Sequence, residues 1–372
     1  MQAPRGSAAH RTAEVVRVLA SVPRPAGGQA EASARAYCAG RLREAGFDVR
    51  EEPFEYSAFV GRWGTPVAGV VALATLLVAA RAGANGSPAF SLALLALGGV
   101  ALGLVARTLA RNGVLSFPAQ RSRSVNLVAT RGGPTPRVWL MAHLDSKSQP
   151  VPILVRAAGI TVLGITWVVA LLVAAWSVAG GANAPSSIAW TVVTGAAIIG
   201  AIPVIATTVG ARSPGALDNA TGVATVVEAA AQSRAPVGVC LTSGEELGLV
   251  GARAWVLGKS GTGCSTINVD SVDDGGATTC MYSGRRPVAL VASVLAAAAR
   301  AGVGVRAHRL LPGVLTDGVA LADAGWPVVT LSRGGVRTLA RIHTPNDRAE
   351  HLTGAGMDEV TRLMVALIDS GT

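Results

Sequence analysis

The stretch Met141-Ala-His-Leu-Asp-Ser-Lys-Ser-Gln149 decides how this chain is read. It closes an apolar, strand-like run and offers two residues of metal-ligand type, His143 and Asp145. Residues two apart on an extended strand face the same way, so the pair can act together. Shortly after it the chain turns greasy, with no Asp, Glu, Lys, Arg or His from Ala157 to Ala211. A water-dependent site therefore stands beside a sequence with the character of lipid.

Composition carries the same tension. Half of the 372 residues are hydrophobic (50%), only 15% are charged and 4% aromatic, and the mean hydropathy is +0.46, which is too apolar for an ordinary soluble domain. Trp63 to Ala80 and Pro88 to Ala106 are further charge-free runs, separated by Arg81 and the turn-like "AGANGS". About 20 apolar residues at 1.5 Å rise cross the hydrocarbon layer, so these two runs predict one helical hairpin in the bilayer. The block from Ala157 to Ala211, broken by "GGANAPSS", predicts a second. Soluble helices buried in a large core seldom stay charge-free for so long.

The net charge of +10 does not indicate nucleic acid, because the Arg residues are scattered and no recognition motif accompanies them. Basic flanks beside anionic lipid explain it better. The four cysteines, Cys38, Cys240, Cys264 and Cys280, have no CxxC spacing and read as buried thiols. The first 60 residues lack a basic start followed by an apolar core, so no cleavable signal is expected.

Outside the greasy blocks, short β-rich runs alternate with helical ones. Examples are "SVNLVATRG", "PRVWLMAHLDS", "VGVCLTS", "STINVDSV" and "WPVVTLS" as strands, and "ATGVATVVEAAAQ", "LVGARAWVL" and "PVALVASVLAAAARA" as helices. A helix from Ala30 to Glu44 should stop at Gly46, and a last helix runs from Gly356 to Ile368. The expected fold is α/β, a mixed central sheet sandwiched by helices, with about four transmembrane helices inserted as two hairpins. The expected boundaries are 1–60, 112–155 and 212–372 for the three parts of the catalytic domain, with hairpins at 61–111 and 156–211.

The chemistry sits in five stretches: "HLD" at 143 to 145, "GALDNATG" with Asp218, "SGEELG" with Glu245 and Glu246, "NVDS" with Asp270, and "RIHTPND" with His343. Carboxylates and imidazoles without cysteine suit a hydrolytic zinc site, and open α/β sheets gather ligands at strand carboxyl ends. Singly, three of the stretches have an ordinary explanation. "EE" can serve a helix start, "DNATG" an N-cap and "HTPND" a solvated turn.

In order and spacing the five stretches, with the opening "SVPRPAGGQAEASARAYCAGRLREAGFDVREEPF", resemble the co-catalytic dizinc aminopeptidases of metallopeptidase family 28. The resemblance spans nearly all of the soluble sequence and stops at both hairpins. It implies two Zn²⁺ ions, with His143 and Asp270 holding one, Glu246 and His343 the other, and Asp218 bridging. It further implies that Asp145 orients an imidazole, that Glu245 is the general base, and that the substrate is a peptide. A bridging carboxylate offsets repulsion between dications about 3.5 to 4 Å apart. Two departures stand out: Thr316-Asp317-Gly318 lies where many members carry Ser-Asp-His, and no Tyr precedes His343 closely. Asp317 is thus a supporting candidate only, and oxyanion stabilisation is open between Arg341 and Tyr282. Asp273 and Asp274 read as turn residues, and His10, His308 and His351 lie outside the motifs.

The leading expectation is a membrane-anchored dizinc aminopeptidase. A zinc glutaminyl cyclase on the same fold is the alternative within catalysis, and a non-catalytic receptor or scaffold the alternative outside it. A transporter is disfavoured because no span carries a charge. Arg62, Arg107, Arg111, Lys147, Arg156 and Arg212 flank the hairpins on the catalytic side, against Arg81 alone at the tips, which places that side in the cytoplasm. Oligomeric state and side-chain preference are not legible.

Overall fold

The computed structural model describes residues 8–133, 135–180, 187–311 and 313–370. Of the expected hairpin features, the tip at 181–186 lies outside them. The chain divides into two compact units. One comprises Met1–Ala58, Pro118–Ser148 and Gly210–Thr372, and the other Phe59–Phe117 and Gln149–Val209.

The first unit opens with α1 (Ala8–Leu19) and α2 (Gln29–Glu44). Gly46, at φ +81°, ends α2 in the left-handed conformation that costs glycine little. Strand β1 (Asp48–Ser57) follows. The chain then departs into the second unit through α3 (Ala58–Ala84), α4 (Pro88–Thr108) and a single turn, α5 (Val114–Ser116). It resumes with β2 (Arg121–Arg131) and β3 (Val138–His143). A second departure carries α6 (Ile153–Ala179) and α7 (Ser187–Ile205). The remainder runs α8 (Thr221–Gln232), β4 (Val237–Thr242), α9 (Val250–Val256), β5 (Ser265–Val272), β6 (Ala277–Tyr282), α10 (Val288–Ala301), β7 (Val305–Arg309), α11 (Asp317–Asp323), β8 (Val328–Gly334), α12 (Val336–Arg341) and α13 (Ala355–Ile368).

The eight strands form one mixed sheet in the order β1-β2-β4-β3-β5-β8-β6-β7. Strands β4, β3, β5 and β8 are mutually parallel, while β1, β2 and β6 make antiparallel pairings. Every residue of β3 and β4 is buried, as parallel strands covered on both faces require. Against one face Trp139 meets Trp255 edge-on at 4.9 Å, and Trp326 lies 5.0 Å beyond. This mixed sheet with flanking helices is the α/β fold expected from the alternation of runs. Strands β6 and β7 were not anticipated. "ATTCMY" carries only a weak apolar alternation and "VRAHR" is basic, so pairing with β8 and then with each other decides their state.

Both departures leave and return between directly paired residues. Ser57 is the ladder partner of Arg121. Ser148 and Gly210 form an isolated antiparallel bridge with both hydrogen bonds made, at 2.9 and 2.8 Å.

In the second unit, α3, α4, α6 and α7 are each long and apolar enough to cross a membrane. Their inner faces share a core of Leu76, Leu95, Ala170, Trp190, Ala197 and Ala201. Gly83 admits the Trp190 ring, since a Cβ there would lie 2.3 Å from Cζ2. Outward faces are equally apolar, with Leu97 72% and Ile199 69% exposed. Water would penalise such surfaces, whereas hydrocarbon does not.

Candidate metal centre

Four of the five stretches end a strand or precede a helix of the first unit, the fifth follows the end of α12, and the turns bring their side chains together. His143 terminates β3 and is buried. Its Nδ1 lies 3.1 Å from the carbonyl oxygen of Asp145, an atom that can only accept, so Nδ1 carries a proton. Nε2 then faces Asp218 Oδ1 at 3.1 Å and Asp270 Oδ1 at 4.0 Å.

Asp218 lies in the turn before α8, and its second oxygen faces the other histidine. Oδ2 is 3.0 Å from His343 Nε2, which is itself 3.2 Å from Glu246 Oε1. Two groups result, His143-Asp218-Asp270 and Asp218-Glu246-His343, each with ligand atoms within 4.8 Å of one another and sharing Asp218.

The supporting contacts explain why these turns hold their shape. Asp145 accepts the backbone N–H of Glu245 through Oδ1 (3.1 Å) and of Glu246 through Oδ2 (3.3 Å), so its carboxylate fastens the Glu-Glu turn to β3. The expected contact of that carboxylate with an imidazole is looser, at 3.5 Å from His143 Nδ1. Asn219 accepts from Gly222 N (3.0 Å) and Ser271 N (3.1 Å) and donates to Val269 O (2.9 Å), holding both neighbours of Asp270. Gly222 permits this approach, because a Cβ there would sit 2.1 Å from Asn219 Oδ1. Ser271 and His343 adopt φ of +60° and +62°, conformations disfavoured for side-chain-bearing residues and often met at functional sites.

Three supporting residues escaped the sequence reading. Asp347, buried, accepts Leu217 N–H (2.6 Å) and Asp218 N–H (3.1 Å). Its place four residues after His343 was the available signal. Arg24, 1% exposed, donates to the carbonyls of Leu19, Leu144, Pro214 and Gly215, tying the His143 and Asp218 turns together. Lys147 Nζ lies 2.6 Å from Glu246 Oε2. Asp317 Oδ2 accepts the Thr242 hydroxyl, while Oδ1 is buried without a hydrogen bond. Asp273 accepts from Thr338 (2.7 Å), and Asp274 accepts from Gly356 N at the start of α13 (2.9 Å), so both serve turns. Arg341 Nη1 lies 3.7 Å from Asp273, and Tyr282 lines a small surface depression with Thr316, Gly318 and Thr330.

Neighbouring groups push the carboxyls apart. Burial drives Glu245 well above the ordinary glutamate range despite His143, whereas the charges of His343 and Lys147 outweigh burial and hold Glu246 low. Burial and then Asp218 raise Asp270 to about 7. Burial would also raise Asp218, but hydrogen bonds from His143 and His343 keep it low. Burial opposes charge on His143, yet hydrogen bonds to Asp145 and Asp218 lift it well above its usual range.

These residues fit a pair of divalent cations. Three carboxylates converge on two imidazole Nε2 atoms, and Glu246 Oε1 is buried with no hydrogen bond while facing His343. Cations placed there would satisfy acceptors that otherwise crowd one another. Nitrogen and oxygen donors without thiolate suit zinc.

Residues 202–368 match the family described as Peptidase family M28. The fold is similar to that of an aminopeptidase from Aneurinibacillus sp. strain AM-1 (TM-score 0.56, 14% identity, 97% of this chain and 93% of that one). It is equally similar to a zinc aminopeptidase from Bacillus subtilis (TM-score 0.56, 14% identity, 98% and 95% covered). A glutaminyl cyclase from Fimbriiglobus ruber is also similar (TM-score 0.55, 15% identity, 99% and 96% covered). No curated protein matches the sequence.

Proposed function

We propose that this chain is a membrane-anchored dizinc metallopeptidase of the M28 type that removes residues from peptide N-termini. The observation that carries the reading is the split of Asp218, whose two oxygens face two different histidines, each with its own further carboxylate. Held by His143, Asp218 and Asp270 on one side and by Asp218, Glu246 and His343 on the other, zinc supplies Lewis acidity and lowers the pKa of water. Glu245, adjacent to a ligand and fixed through its N–H by Asp145, takes the proton of the attacking water and passes it to the leaving amine. Asp145, Asn219 and Asp347 hold the three turns in register. The helices α3, α4, α6 and α7 anchor the protein in lipid and contribute no acid, base or ligand. The catalytic unit faces the cytoplasm, by the excess of Arg near the span ends.

The test measures zinc content of the purified protein and release of amino acids from aminoacyl reporters and a peptide library. Tight binding of zinc with no hydrolysis of any peptide would remove the peptidase reading. A second reading, glutaminyl cyclisation, is favoured by the equal likeness to the Fimbriiglobus enzyme. It predicts ammonia release from N-terminal glutamine peptides without cleavage of the chain.

A further inference from the structure

Glu246 is restrained at every polar group but one. Its N–H donates to Asp145 Oδ2 at 3.3 Å. Its carbonyl oxygen lies 3.5 Å from Lys147 Nζ, and its Oε2 lies 2.6 Å from the same ammonium. Only Oε1 has no hydrogen bond, and it is the oxygen that faces His343. The opposite carboxylate differs, for Asp270 Oδ1 meets a neutral hydroxyl, Ser271 Oγ, at 3.1 Å.

We propose that Lys147 is a positioning residue that limits Glu246 to ligation through Oε1 alone, so that the two metal positions are unequal in ligand number. The inference rests on the metal-centre reading above. A carboxylate can ligate through one oxygen or both, and the choice sets how many positions remain for water or substrate. To bring Oε2 to a cation, Glu246 must give up an ammonium whose side chain is only 14% exposed. Separating that poorly solvated ammonium from the carboxylate oxygen 2.6 Å away is unfavourable. Among the described residues the hydrogen-bond partner of Asp270 is a hydroxyl, which gives up a carboxylate oxygen at far smaller electrostatic cost. Lys147 therefore acts through Glu246, keeping the Asp218-Glu246-His343 position the less saturated of the two.

The test uses full-length protein in detergent, stripped of metal and loaded with Co²⁺, whose visible absorption is stronger with four ligands than with five or six. An Asp270→Asn background weakens the other position, so that cobalt reports the Glu246 side. Lys147→Met should lose about half or more of that absorption while binding cobalt stoichiometrically, and Lys147→Arg should retain it. Lys147→Gln serves if the methionine variant does not fold. Identical spectra for Lys147→Met and its parent overturn the inference. Failure of the wild-type protein to take up cobalt or zinc at all overturns instead the metal-centre reading beneath it.

Discussion

Ser148 and Gly210 exchange both of their backbone hydrogen bonds, at 2.9 and 2.8 Å, although a charge-poor segment with two long helices separates them in the chain. Ser148 Oγ also accepts the N–H of Arg212 at 3.0 Å. The insertion thus begins and ends at one closed bridge, between Asp145 and Asp218. Antiparallel partners of this kind are about 5.5 Å apart, a gap that a two-residue turn spans.

Replacing Gln149–Val209 with Asn-Gly should therefore preserve the first unit, and so should joining Ser57 to Arg121 in the same way. The doubly shortened protein is expected to be soluble without detergent and to bind zinc. Zinc measured in a folded, monodisperse preparation checks this. A folded product devoid of metal would mean that the insertions help to build the site.

Glu245→Gln should lower turnover by about 10²-fold or more while zinc remains bound, because it removes a proton acceptor and no ligand. Asp218→Ala should lose metal, since both groups share this residue. Metal analysis beside steady-state kinetics separates the two, and a Glu245→Gln enzyme with near-normal turnover contradicts the assigned role.

Asp347→Ala should weaken zinc binding by about 10- to 100-fold, the range found when residues that orient ligands are lost. The cause is the loss of the acceptors for Leu217 and Asp218 N–H. Competition with a chromophoric chelator measures it, and unchanged affinity would mean that Asp218 keeps its place without this support.

Glu31 predicts a pH dependence of stability. Burial, then the charge of Asp145, raises its carboxyl to about 7. The folded state therefore holds a proton that the unfolded chain releases near pH 4.5, so this group's contribution is full below about pH 4.5 and is lost as pH rises through about 7. Glu31→Gln stays neutral and can still accept from Gly27 N–H. Its melting temperature should exceed that of wild type by a few degrees at pH 8 and not at pH 4.5. An equal difference at both pH values would contradict this origin.

Orientation is tested by single cysteines in a background without Cys38, Cys240, Cys264 and Cys280. Asn85, between α3 and α4, should react with an impermeant thiol reagent on intact cells, and Ser370 should be protected. Lys147 is engaged with Glu246, so the charge bias consists of Arg62, Arg107, Arg111, Arg156 and Arg212 against Arg81. The reverse labelling pattern would invert the topology.

Runs such as "VWLMAH" and "VGVCLT" identify themselves as buried strands, because continuous apolar residues of that length suit a covered parallel sheet. Charge-free runs long enough to span a bilayer are equally local properties, as is the choice of His, Asp and Glu over Cys. Those features the sequence determined alone. It could not determine β6 and β7, whose weak patterns become strands only through pairing with β8 and with each other. Nor could it reveal that Arg24 joins the His143 and Asp218 turns, that Asp347 holds Asp218, or that Lys147 occupies one oxygen of Glu246. Such contacts join residues up to 191 positions apart, and hydrogen-bond geometry between distant turns leaves no periodic trace in the chain. Local pattern records what each segment buries, and only the tertiary structure decides which buried polar atoms meet.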